Sequence, residues 1–184
     1  MCIICYKPAG APLPGFETLE RCARRNPHGA GFALARDGRV IVRKGFGRVV
    51  DLLEALVDAA GSPEAVETLP VILHFRLATH GSVCPANCQP LPLSARLEDV
   101  KALSAECAAA MAHNGIYSGV EFRPDWPDVS DTQAMVLGYL SGMRFAEIAA
   151  RKGEVASRLG PSRTVLPNSS PYLFPDPPGG GDGG

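Results

Sequence analysis

The chain has 184 residues, of which 46% are hydrophobic and 20% charged, and its formal net charge is -1. These totals suit one soluble globular domain long enough to bury a core without staples. They give no electrostatic case for a nucleic-acid or membrane-surface partner, because neither an excess of cations nor a long basic run is present.

Residues 2–6, Cys2-Ile3-Ile4-Cys5-Tyr6, read as a short buried strand that leads into a loop rich in proline and glycine. Phe16 to Arg25 puts Phe16, Leu19, Cys22 and Ala23 on one helical face, and Asn26-Pro27 ends that helix. Arg21, Arg24 and Arg25 are read as its solvated side. Gly31 to Arg36 and Arg39 to Lys44 flank Asp37-Gly38, a hairpin signature with a tight turn. Val49 to Ala60 carries Val49, Leu52, Leu53, Leu56 and Val57 at helical spacing, and Gly61 closes it.

Leu69 to Ala78 reads as an apolar strand interrupted by His74 and Arg76, followed by an irregular loop from Gly81 to Leu93. Cys107 to His113, with three consecutive alanines, favours a helix by propensity. Ser130-Asp131-Thr132-Gln133 opens a helix as a capping box, with Ser130 and Gln133 satisfying first-turn amides reciprocally. Met143 to Leu159 is a further helical stretch, and the segment 175–184 is read as a disordered Pro/Gly-rich tail outside a domain of residues 1–174. No internal repeat is found. The mixed order of hairpins and helices predicts an α+β layered fold.

No apolar run approaches the roughly 20 residues that span a bilayer, and Lys7 follows the apolar start where a signal peptide would need it before. A cytoplasmic protein is expected. Its six cysteines, at positions 2, 5, 22, 84, 88 and 107, are then reduced, so catalytic, metal-binding or buried roles come before disulfides.

Five positions carry chemistry. Cys2 follows Met1, and removal of that methionine would leave a thiol and a free α-amine on one carbon, a nucleophile with its own base; a buried strand cysteine is the alternative. Arg76, charged in an apolar strand, needs a partner, either a substrate carboxylate or an internal Asp or Glu. His113-Asn114-Gly115 is a turn signal, or an oxyanion hole in which the Asn114 amide and the Gly115 N–H meet one developing negative oxygen. Asp131 in a first helical turn favours the dipole, or holds a substrate ammonium.

In combination and order, Cys2, Asn26-Pro27-His28-Gly29-Ala30-Gly31, Arg76-Leu77-Ala78-Thr79-His80-Gly81, His113-Asn114-Gly115 and Ser130-Asp131-Thr132 resemble the class II glutamine amidotransferases, the glutaminase branch of the N-terminal nucleophile hydrolases. The resemblance runs from residue 2 to about 140. It implies a four-layer αββα sandwich with two stacked antiparallel sheets, and with it a strand over Cys107 to His113, against local propensity. It implies hydrolysis of the side-chain amide of glutamine or of another γ-glutamyl amide: Cys2 attacks, Asn114 and Gly115 hold the oxyanion, Arg76 and Asp131 bind the α-carboxylate and α-ammonium, and Thr79 and His80 line the substrate loop. No cofactor or metal is implied. The ammonia would go to a separate synthase subunit, or the enzyme would act as a free-standing hydrolase.

The chain departs from the family pattern at Ile3 and Cys5, at His28 in place of an aspartate, at Gln89 in place of a histidine, and in a short C-terminal part where Asn168-Ser169-Ser170-Pro171-Tyr172 is similar to a late family element. Two other readings compete: a non-catalytic interaction domain of the same fold, and a zinc module built from Cys2-x-x-Cys5 and Cys84-x-x-x-Cys88.

Overall fold

The computed structural model describes residues 1–117, 119, 122–141, 143, 145–151, 153–155, 163–166 and 172–174. They form a mixed α+β structure with two antiparallel sheets. In chain order the elements are β1 (Ile3–Lys7), α1 (Phe16–Arg25), β2 (Ala30–Arg36), β3 (Arg39–Phe46), α2 (Val49–Ala60), α3 (Pro63–Thr68), β4 (Val71–Phe75), β5 (Leu91–Pro92), α4 (Leu97–Lys101), β6 (Ser104–Cys107), β7 (Ala110–Asn114), α5 (Asp131–Met135), α6 (Phe145–Ala150), β8 (Arg163–Leu166) and β9 (Tyr172–Phe174). A 3-10 turn, Pro85–Asn87, precedes β5, and α5 runs on into a π-helical turn, Val136–Leu140. One sheet has the order β1-β4-β2-β3-β6 and the other β5-β7-β8-β9.

Period-two alternation sorts the strand side chains onto two faces. Phe32 and Leu34 of β2, with Val71, Leu73 and Phe75 of β4, pack against Leu19 of α1, Leu52 and Leu56 of α2 and Val66 of α3. The residues between them, Ala33, Ala35 and Ile72, face the other way and meet Ala110 and Ala112 of β7, together with Val40 and Val42 of β3. Met111, on the far face of β7, joins Leu91, Met135, Val136, Leu140 and Ile148 in a third cluster. No helix among the described residues is long and apolar enough to cross a membrane.

The small side chains at the sheet-to-sheet contact set its closeness. A Cβ built on Gly31 would lie 2.5 Å from the Gln89 carbonyl oxygen, 2.7 Å from Lys44 Cβ and 2.9 Å from the Arg43 carbonyl oxygen. Two of those three neighbours are backbone, which cannot swing aside.

The hairpin turn falls at Asp37-Gly38, both residues at positive φ (50° and 73°) as a primed turn requires. Gly61 ends α2 in the left-handed conformation at φ 93°. The strand expected over Leu69 to Ala78 is shorter. It ends at Phe75 because Arg76 to Ala78 leave the sheet to run past Cys2 and His28. The strand expected over Cys107 to His113 is two: β6 ends at Cys107 in the first sheet, and β7 begins at Ala110 in the second. Strand prevails over the alanine propensity because Ala110 and Ala112 fill a space between sheets that a larger side chain would block. Within the stretch expected to be helical from Met143 to Leu159, α6 covers Phe145–Ala150 and residues 153–155 are helical. The tail 175–184 and the residues 167–171 lie outside the described residues.

Gly31→Ala should destabilise the protein by about 1–3 kcal/mol through overpacking, read from urea unfolding. Gly47→Ala, where a Cβ meets nothing within 4 Å, should fall within about 0.5 kcal/mol of the parent.

Candidate active site

Cys2 stands at the N-terminal end of β1, one register step beyond the Ile3–Phe75 pair, so it lies across from Arg76. The half-buried thiol is held by one residue twice: Sγ accepts from the Leu77 N–H at 3.3 Å and donates to the Leu77 carbonyl at 3.5 Å. Burial pushes its pKa up. The Leu77 N–H, the chain's terminal ammonium and Arg76 act in the opposite direction, and Asp131 adds to the rise. Two residues of opposite charge, 55 positions apart in sequence, therefore both act on this sulfur.

Arg76 is 3% exposed. Its guanidinium donates to the carbonyls of Ser82 at 2.8 Å, His80 at 3.1 Å and Gly81 at 3.5 Å. Among the described residues its partners are these carbonyls, and no carboxylate forms an ion pair with it. Carbonyl dipoles solvate the fork without cancelling its positive charge, and no described carboxylate does so by contact. Thr79 and His80, in the loop that Arg76 holds, are both exposed. That loop is fixed from its far side by Asp128, whose carboxylate accepts from the Ser82 N–H at 2.7 Å, from the Ser82 hydroxyl and from the Asn87 amide at 3.3 Å.

Asp131 opens α5 and is 5% exposed. The capping box is formed: Ser130 Oγ accepts from the Gln133 N–H at 3.2 Å, and Gln133 Oε1 accepts from the Ser130 N–H at 2.9 Å. One Asp131 oxygen accepts from the Tyr117 N–H at 2.8 Å, and the Asp131 charge also reaches His113. The segment after β7 is thus tied to the Asp131 carboxylate at Tyr117, three residues beyond Asn114. Asn114 Oδ1 is buried without a hydrogen-bond partner among the described residues.

Sequence reasoning missed the residues that tie these segments together. Asn26, read as a helix stop, is 4% exposed, and its amide nitrogen donates to the Met1 carbonyl at 3.0 Å and the Phe75 carbonyl at 3.1 Å. His28, where the sequence departs from the pattern it resembles, accepts the Ala78 N–H on Nδ1 at 2.9 Å. Gly29 sits at φ 104°, and a Cβ there would lie 2.5 Å from Cys88 Sγ, which restricts the position to glycine. Gln89, in place of histidine, uses both ends of its amide: Oε1 accepts from the His113 N–H at 2.7 Å and Nε2 donates to Thr132 Oγ1 at 3.3 Å. Beyond the Asn26-to-Gly29 run and the polar character of Gln89, nothing local marks these contacts, because each joins residues far apart in sequence.

The four cysteines of the zinc reading do not converge. Residues three apart on a strand face opposite sides. Cys5 turns toward Cys22 of α1, where burial and that neighbouring thiol push its pKa up to about 11. Cys84 approaches Asp128, and Cys88 donates to the His28 carbonyl. Among the described residues no group of three or more His, Cys, Asp or Glu could hold a metal ion.

Beneath the site two imidazoles are buried. His113 Nδ1 meets Thr132 Oγ1 at 3.2 Å, and burial lowers its pKa. Among the described residues neither His74 ring nitrogen has a hydrogen-bond partner, and burial, only partly offset by the nearby His113 backbone, pushes its pKa down to about 3. Below about pH 6.5 the unfolded chain takes up a proton that the folded ring refuses. Stability therefore falls with pH until about 3. His74→Leu should flatten the fall of the unfolding free energy across this window in urea titrations, whereas an unchanged slope would assign it to other groups.

The chain matches no known family model and no curated protein sequence.

Proposed function

We propose that the protein is a glutaminase of the class II amidotransferase type, hydrolysing the side-chain amide of glutamine or of another γ-glutamyl amide with Cys2 as nucleophile. The observation that carries this reading is the pairing around one thiol of a buried cation, Arg76, which no described carboxylate contacts, and a buried carboxylate, Asp131. A free amino acid presents the complementary pair of charges at its α-carbon, and its side-chain amide would reach the sulfur. The order of the three apolar clusters, helices against the first sheet, sheet against sheet, and α5 with α6 against the second, supports a four-layer αββα sandwich of the N-terminal nucleophile hydrolase type.

Met1 is 83% exposed, open to an aminopeptidase. Its removal frees the Cys2 α-amine, whose ordinary pKa of about 8 suits a base near neutral pH. The amine takes the thiol proton, and sulfur attacks the amide carbon. Asn114 and the Gly115 N–H stabilise the oxyanion. The protonated amine returns its proton to the leaving nitrogen, ammonia departs, and a γ-glutamyl thioester remains. Water, deprotonated by the same amine, then releases glutamate and restores the thiol. Arg76 holds the α-carboxylate and Asp131 the α-ammonium. Thr79 and His80, in the loop Arg76 braces, line the substrate. The ammonia passes to a separate synthase subunit or into solution, and the reaction needs no cofactor.

Intact-mass analysis before and after 6-diazo-5-oxo-norleucine should find Met1 absent and a single adduct on Cys2. Retained Met1 with no adduct would reject the reading in favour of a non-catalytic domain. Cys2→Ala should abolish glutamine turnover. Asn114→Ala should lower kcat on the order of a hundredfold. Arg76→Lys should chiefly raise KM, because one ammonium cannot both span the loop carbonyls and present a fork to a carboxylate; an unaltered KM would take Arg76 out of the binding site.

A further inference from the structure

The end of α1 carries a buried amide aimed at the N-terminus. Asn26 caps that helix through its backbone N–H, which donates to the Cys22 carbonyl at 3.0 Å. Its side-chain nitrogen spends one N–H on the Phe75 carbonyl at 3.1 Å and the other on the Met1 carbonyl at 3.0 Å. Phe75 closes β4 and is 1% exposed, so the first bond is anchored in the core. The second is made to the acyl group that leaves with Met1. Once that residue is gone, the amide anchored on Phe75 has an N–H left without its acceptor, next to the nitrogen that was bonded to the same carbon and has become an amine.

We infer that Asn26 is the positioning residue for the Cys2 α-amine, holding it in place and keeping it unprotonated by donating a hydrogen bond to its lone pair. This rests on the hydrolase reading above. A donor facing an amine disfavours the ammonium form, which has no lone pair to accept with. The amine thus stays a free base at neutral pH, and rotation about its N–Cα bond turns the lone pair to the thiol. The charges that act on the Cys2 sulfur beside it are Arg76 from the end of β4, which would work in the same direction as Asn26, and Asp131 from α5, which would oppose it. His28, on the loop after α1, is committed to the Ala78 N–H. Arg76 and Asp131 act through space, whereas the Asn26 amide is held against the Met1–Cys2 peptide, within reach of a direct bond to the freed amine.

The test is an NMR titration of the mature protein, its loss of Met1 verified by intact mass and its cysteines labelled with nitrogen-15, in which the single α-amine resonance is followed with pH. The wild-type amine should titrate below the ordinary value of about 8. Asn26→Asp, which replaces the donor by a carboxylate, should raise it by about one unit or more. The acid limb of kcat/KM should move up with it. A merely structural Asn26 would lower kcat without moving that limb. A wild-type amine at or above the ordinary value overturns the assignment and needs no variant, so a poorly folded Asn26→Asp does not shield it. Turnover tells the two claims apart: hydrolysis of glutamine with an unperturbed amine rejects Asn26 alone, whereas a depressed amine without hydrolysis or Cys2 alkylation rejects the hydrolase reading and keeps the Asn26 contact.

Discussion

A guanidinium buried to 3% exposure must be solvated by something, and Arg76 is solvated by the carbonyls of the loop that follows it. Much of the site hangs on that constraint. To turn three carbonyls inward, residues 80–82 curl back over the end of β4. Leu77 and Ala78 thereby cross the mouth of β1, where the Leu77 N–H donates to the Cys2 thiol and the Ala78 N–H to His28 Nδ1. Asp128 and Lys101 then secure the same loop from outside, Asp128 through Ser82 and Lys101 through Asn87. A lysine at 76 has donors for the carbonyls but no planar fork to fix all of them in one geometry.

The closeness of the sheets is the second constraint. Gly31, Ala33 and Ala35 on β2 leave room for Ala110 and Ala112 on β7 and for the Gln89 backbone. This proximity brings the end of β7, with His113 and Asn114, toward the side of the first sheet on which Cys2 lies. Gln89 completes the link by joining the His113 backbone to Thr132 in the first turn of α5. A helix start and a strand end are thus held in one place by a single amide. The buried Lys44 supports the region from below, donating to the Ala86 and Val100 carbonyls at 2.9 and 2.6 Å, and burial pushes its pKa down to about 7.

Electrostatically the thiol sits in a balance. Burial disfavours the thiolate, while Leu77, the terminal ammonium and Arg76 favour it. A thiol raised in this way does not ionise unaided near neutral pH, so nucleophilic attack calls for a base in contact with it. The α-amine that Met1 conceals would be that base, and the Asn26 amide, anchored on the Phe75 carbonyl, contacts the peptide that holds it.

The sequence by itself determined the elements whose signals are local. The Asp37-Gly38 turn, the helices Phe16–Arg25 and Val49–Ala60, and the Ser130 capping box are each set by residues within a few positions of one another, and all are formed as read. It also picked out Cys2, Arg76, Asn114 and Asp131 as chemically unusual, because charge and polarity in apolar surroundings are visible without coordinates. Tertiary structure alone decided what those residues touch. The switch between sheets within the alanine-rich stretch at 107–110 depends on a facing strand, not on propensity. Arg76 takes carbonyls rather than a carboxylate, and Asn26 reaches Met1 and Phe75. Cys2 meets Leu77, 75 residues away in the chain. Such bonds follow from the path of the backbone after the sheets have packed, and a one-dimensional pattern carries no term for that path.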